Sequence, residues 1–281
     1  MNLRLTLLLI CLTGAAQAAD RIIDTTTGRE ISRADLLAQA RQSDFVLLGE
    51  IHDNPYHHQR RAALIAELAP SSIAAEHLED GQRVSWASPN GPSVADQLSS
   101  AGFDARSWQW PLHEPLFAGL AQASIGVAGA NISRDLARRL VREGESALPP
   151  ALATTLTAAP LPATAQMALD KDLVDDHCGQ LPATRVPGMR LAQRARDAAM
   201  ATGVAALKDR PAILVAGNGH VRADYGVPVT LAQLRPGTRI LNIAFLESEH
   251  SAEPHRAYTH LWITPAVQRD DPCKRFPAPQ S

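Results

Sequence analysis

The chain has 281 residues, 45% hydrophobic and 20% charged, with a formal net charge of −2. Length and composition describe a globular chain with room for one large core or a core plus a smaller insert. The near-neutral balance gives no basic patch for a nucleic-acid partner.

The first segment, "MNLRLTLLLICLTGAAQAAD", places Arg4 before an apolar run and ends in Ala16-Gln17-Ala18. This pattern predicts a secretory signal peptide over residues 1–18, cleaved after Ala18, and therefore an exported, periplasmic chain. The run is too short to span a bilayer, and the bulky Ile10 before Cys11 argues against lipoprotein anchoring. Of the three cysteines, Cys178 and Cys273 remain after cleavage. An oxidising compartment and the lack of C-x-x-C spacing predict a disulfide between them.

Further along, Phe45–Leu48, Ile73–Ala75, Ile125–Ala128, Ala212–Ala216, Ile240–Phe245 and Ala257–Ile263 are short apolar runs ending in Gly or a polar cluster. Helical patterns such as Gln59–Leu68 lie between the early ones. Buried strands alternating with helices predict an α/β fold, a parallel β-sheet flanked by helices. Residues 134–208 hold no good strand pattern and read as helices broken at Pro149-Pro150, Pro160–Pro162 and Pro182–Pro187. They are expected to form a smaller, all-helical subdomain inserted in an α/β domain of residues 19–133 and 209–268. A Pro-rich tail, residues 269–281, is expected to be extended or disordered apart from any disulfide.

Two strand ends carry the same turn, Gly49-Glu50-Ile51-His52 and Gly217-Asn218-Gly219-His220. In a parallel sheet both face the crevice beyond the strands' carboxyl ends, where ligands sit. "SIAAEHLED" adds Glu76, His77 and Glu79 to the same rim. Glycine is expected to let the chain turn out of the strand. Asn54 is the expected N-cap, with Pro55 at the first helical position. Tyr56, His57 and His58 then fall in a first turn that suits a metal with acidic ligands or an anionic ligand.

Blander roles stand beside these. His57 and His77 fit ordinary loop or cap residues, and Asp53 fits turn chemistry in "HDNP". Trp108 and Trp110, beside His113, fit a core seam as well as the wall of a flat ligand. No G-x-S-x-G, H-E-x-x-H, Walker or dinucleotide glycine motif occurs.

"LLGEIHDNPYHHQ", "AGNGHVRADYGVP" and "HCGQLP…RVPGMRLAQRARDAAM" together resemble the ChaN-like haem-binding uptake proteins of the Tiki superfamily, from about Asp44 to Arg239. The resemblance implies a parallel sheet with a small helical domain and a part in haem and iron acquisition at the envelope. It further implies haem bound at a homodimer interface, with a possible outer-membrane haem receptor system as partner. In that family a Tyr of one subunit holds the iron, and a His and a Lys of the other meet the propionates. Carried to this chain, the axial ligand is Tyr225 or Tyr56, with Tyr225 preferred, and Lys171 is the propionate partner. His113 stands where relatives are expected to carry Tyr, and would offer an imidazole. His52, His58 and His220 complete the expected haem-binding set.

The alternative is a metal-dependent hydrolase of the protease or esterase kind. There His52, His220, Glu50 and Glu76 bind a divalent metal ion, and Glu50 or Glu76 serves as general base. A scaffold for an envelope partner ranks last.

Overall fold

The computed structural model describes residues 20–87, 91–248 and 255–275. The expected signal peptide, Cys11 and tail residues 276–281 lie outside them. The chain folds around one nine-stranded sheet of order β2-β1-β9-β8-β3-β7-β4-β6-β5. Its strands are β1 (Arg21–Asp24), β2 (Arg29–Ile31), β3 (Phe45–Leu48), β4 (Ser72–Glu79), β5 (Arg83–Val84), β6 (Gly126–Asn131), β7 (Ala212–Val215), β8 (Ile240–Leu246) and β9 (His260–Ile263). The six expected runs supply the parallel strands, β9-β8-β3-β7-β4-β6. The sheet is mixed, because β1 and β2 continue it antiparallel at one edge and β5 at the other. Those edge strands carry no continuous apolar run, since an edge strand shares fewer buried neighbours. The run at Ala257–Ile263 enters the sheet only at His260.

Why six runs become central strands is visible in their alternation. Val46 and Leu48 of β3 point into a core shared with α1 (Arg33–Arg41), α2 (Pro55–Leu68), α3 (Val94–Ser100) and α4 (Glu114–Gln122). Phe45 and Leu47 point into the opposite core, under α8 (Val186–Ala205) and α9 (Val227–Leu234). Ile213 and Val215 of β7 alternate against Ala212 and Leu214 in the same way. A period of two with both faces covered requires apolar residues at every position.

The helical segment comprises α5 (Arg134–Glu143), α6 (Pro150–Ala158), α7 (Ala163–Asp176) and the 20-residue α8. Helix α6 begins on the Pro149-Pro150 pair that reads as a break, with proline at its first position, where a missing N–H is harmless. The segment has a core of its own, in which Ala192 and Ala195 of α8 meet Ile132, Ala137 and Leu140. Further along the same helix, Met200, Ala201 and Val204 cover the sheet. Helix α8 is thus continuous from that core to the sheet.

Cys178, just beyond α7, is bonded to Cys273, with Cα atoms 5.5 Å apart. The tail at Pro272–Arg275 is a 3-10 turn rather than extended chain. No helix among the described residues is long and apolar enough to cross a membrane.

Candidate functional site

The strand ends of β3, β4 and β7 open onto a crevice of about 950 Å³, whose lining includes Glu50, His52, Trp108, Lys171, His177 and Tyr225. Gly217 lines it and Gly49 directly precedes the lining residue Glu50, and both are glycine for a different reason from turn geometry. Gly217 has φ −62°, and Gly49 is not among the positive-φ glycines. A Cβ on Gly49 would stand 2.9 Å from the Ile243 carbonyl oxygen and run into the Asn218 side chain. One on Gly217 would stand 3.1 Å from His52 Nε2. Glycine is needed here because backbones and rings approach closely, not because the chain must turn left-handed.

Helix α2 builds the first wall. Asn54 caps it, accepting from the Tyr56 N–H at 2.9 Å, while its own amide donates to Glu247 at 2.7 Å. Asp53 belongs to a surface tie, gripped by the Arg269 guanidinium at 2.7 and 2.9 Å. His57 is buried, and its Nδ1 accepts the Ile51 N–H at 3.0 Å. Burial, reinforced by the neighbouring His58, pushes its pKa down to about 3. His57 therefore holds the turn as a neutral ring.

Glu50, 2% exposed, is the hub. Its Oε2 meets the buried Arg61 guanidinium in direct contact and lies 3.2 Å from His58 Nδ1. Its Oε1 lies 2.5 Å from His52 Nδ1, 3.3 Å from His113 Nε2 and 3.4 Å from His77 Nε2. Burial lowers the pKa of His58 to about 4 and of His113 to about 2, and it also takes His77 well down. It lowers Arg61 to about 9, which still leaves a guanidinium at neutral pH.

Glu76 heads a second cluster. Its Oε2 accepts the Gly217 N–H at 2.8 Å, and its Oε1 lies 3.4 Å from His220 Nε2. His220 Nδ1 lies 2.6 Å from Asp197 Oδ1, on α8. Burial alone would discharge His220, but the two carboxylates outweigh it and raise its pKa to about 10. Burial opposes ionisation of Glu76, yet His220 holds its pKa well below the carboxylate range. Asp197 goes the other way, pushed up by burial. The ring is an imidazolium shared between two acids.

These facts sort the expected residues. His52, with half its side chain exposed, Lys171 and Tyr225 line the crevice. His58 and His113 are buried behind Glu50 and are not part of the lining, and Tyr56, in the first turn of α2, is not part of it either. Of the four residues expected to hold a metal, His220 has a carboxylate at each ring nitrogen, Asp197 at Nδ1 and Glu76 at Nε2. Among the described residues, the metal-like group of three or more is Glu50, His52 and His113.

Tyr225 is 3% exposed, and its hydroxyl donates to Asp172 at 2.7 Å. Burial and that carboxylate push its pKa up. Trp108 lines the crevice, its ring 5.3 Å from His52 and 4.4 Å from His77, whereas Trp110 packs on Phe103 in the core. Lys171, at the rim, is ion-paired with Asp175.

Sequence reasoning missed Arg61, Asp197 and His177. Arg61 lies three residues past His58 and four before Ile65, on the buried face of α2, so an arginine at an apolar-stripe position was the signal. Asp197 sits among alanines on α8, four residues past Gln193, which also reaches His220 at 3.2 Å. His177 is exposed in the crevice, and its Nδ1 bonds the Leu173 carbonyl at 2.7 Å.

Among solved structures, the chain is similar to ChaN of Campylobacter jejuni, described with cofacial haem binding. The TM-score is 0.72 at 18% identity, over 88% of this chain and 97% of that one. Two weaker likenesses carry no argument. The type III effector HopBA1 aligns at TM-score 0.43 and 16% identity over 83% and 92% of the two chains. The erythromycin esterase EreC, in its open conformation, aligns at 0.40 and 16% over 92% and 86%. None of the curated proteins matches the sequence. The sequence model of the family described as haem-binding uptake, Tiki superfamily, ChaN matches residues 36–231, and with the fold and the strand-end crevice in agreement the chain belongs to that family.

Proposed function

We propose that this protein binds haem in the strand-end crevice, as an exported periplasmic protein of haem and iron acquisition that pairs into a homodimer around its ligand. The observation that carries the reading is the crevice itself, offering about 950 Å³ in a chain of the haem-binding uptake family. That volume suits a large flat ligand. The lining fits haem chemically. Trp108, Leu78, Ile132 and Met189 offer apolar surface, and Lys171, Arg134 and Arg196 offer cations for propionates.

Tyr225 is the proposed iron ligand. Burial and the Asp172 hydrogen bond disfavour its phenolate, but a bound cation reverses that preference. His177 Nε2 is the second choice, since its Nδ1 proton is fixed on Leu173. Bound iron would supply a Lewis-acid centre for that oxygen or nitrogen. The protein's part is to exclude water and hold the propionates. A metal-dependent hydrolase built on His52, His220, Glu50 and Glu76 is the weaker alternative, because His220 is spent as a cation.

A haemin titration of the mature chain, followed by its Soret and charge-transfer bands while sizing the protein, tests this. Saturable binding with tyrosinate-type high-spin bands, lost in Tyr225→Phe, is the expected result. A spectrum altered by His177→Ala and not by Tyr225→Phe moves the ligand to His177. No saturable binding by the folded protein overturns the haem reading.

A further inference from the structure

The Glu50 pocket is incompletely paired: Arg61 Nε and Nη1, Glu50 Oε2 and both His77 ring nitrogens are buried without a hydrogen-bond partner, and the mismatch is sharpest at Glu50 Oε1. His113 Nδ1 lies 3.0 Å from the Trp108 carbonyl oxygen, which can only accept, so Nδ1 carries the ring proton. In the neutral ring, which burial favours, His113 Nε2 then presents a lone pair to Glu50 Oε1 at 3.3 Å. Two acceptors facing each other at that distance, both buried, need a cation between them. His77 deepens the mismatch. Its side chain is fully buried, neither ring nitrogen has a hydrogen-bond partner, and Nε2 aims at the same oxygen from 3.4 Å. His52 Nδ1 reaches that oxygen at 2.5 Å. The other oxygen, Oε2, is already neutralised by Arg61.

The geometry points to a divalent transition-metal site, zinc or ferrous iron in class, formed by Glu50 Oε1, His113 Nε2 and His52, with His77 Nε2 as the fourth donor. Three imidazoles and one carboxylate suit such ions. The supports of the ligands take the form metal sites use. His113 donates its far N–H to a backbone carbonyl, and the far oxygen of Glu50 is held by Arg61. His58 Nε2 meets the His52 carbonyl oxygen at 2.9 Å, fixing the loop that carries the ligand. The ligand atoms of Glu50, His52 and His113 already lie within 4.8 Å of one another. This site requires no haem, and it differs from the four residues expected in the metal-dependent hydrolase, since it excludes His220 and Glu76 and recruits His77 and His113.

The test is a Co²⁺ titration of the full chain after chelator dialysis, read by visible ligand-field bands and by metal analysis, then repeated with Zn²⁺. One Co²⁺ per chain is expected, with nitrogen-rich bands displaced by Zn²⁺. His113→Ala should weaken binding by more than about 100-fold, beyond what loss of an outer partner causes. His77→Phe keeps the pocket filled and should weaken it by at least about 10-fold. Circular dichroism and melting of each variant establish that it is folded. Absence of 1:1 binding by the folded wild type would mean that a proton, not a metal, bridges Glu50 and His113, and would overturn the site. Full-strength binding retained in both folded variants would overturn it equally.

Discussion

Two buried glutamates at neighbouring strand ends meet the same problem in opposite ways. Glu76 lies against an imidazolium that a second acid, Asp197, also holds, so both nitrogens of that ring face carboxylate oxygens. Glu50 has one oxygen closed by Arg61 and the other facing imidazole nitrogens. The desolvation cost of a buried charge is similar for both. One cluster resembles a finished ion pair and the other a ligand set, which explains why the first is a structural clamp between α8 and the sheet.

The largest expected effect breaks the Glu76 cluster. His220→Ala leaves Glu76 and Asp197 without their shared cation and should destabilise the chain by about 3–5 kcal/mol in urea unfolding. The same substitution should leave Co²⁺ affinity within about 3-fold of wild type. Next comes packing at the turn beside Glu50. Gly49→Ala pushes a methyl toward the Ile243 carbonyl and should cost about 1–3 kcal/mol, measured the same way.

Acid and base separate the buried rings further. The folded pKa of His57, about 3, lies below its ordinary 6.5, so the unfolded chain binds a proton that the folded one refuses. Stability should fall by about 1.4 kcal/mol per pH unit for this ring as pH drops from about 6.5 toward 3. His57→Gln should flatten that slope. His220 has the opposite sign. Its folded pKa is raised to about 10, so its contribution is complete below pH 6.5 and is lost as pH rises through about 10. The smallest effect belongs to Asp53→Asn, which removes a half-exposed pairing with Arg269 and should cost under about 1 kcal/mol.

Much of this was legible in the sequence where the signal is local. The six apolar runs, the Asn54-Pro55 helix start and the strand-end placement of both G-x-x-H turns require only neighbouring residues. The edge strands were not legible, because "RIID" and "REI" gain their stability from pairing rather than from an apolar face. Residue types at the rim could be named, but their roles could not. His113 was read as a haem ligand and lies behind Glu50. Tyr56 was read beside the crevice and does not line it. Arg61 went unread because a charge on an apolar face makes sense only with its partner in view.

The sequence by itself determined the strand-and-helix order, the covered parallel centre and the gathering of acids and imidazoles at the strands' carboxyl ends, since these follow from periodicity, capping and chain direction. Only the tertiary structure decided which imidazole is a cation, which is a neutral prop and which presents a lone pair. Those states depend on burial and on partners far along the chain, Asp197 for His220, the Trp108 carbonyl for His113 and Arg61 for Glu50, and no local pattern encodes a distance between them.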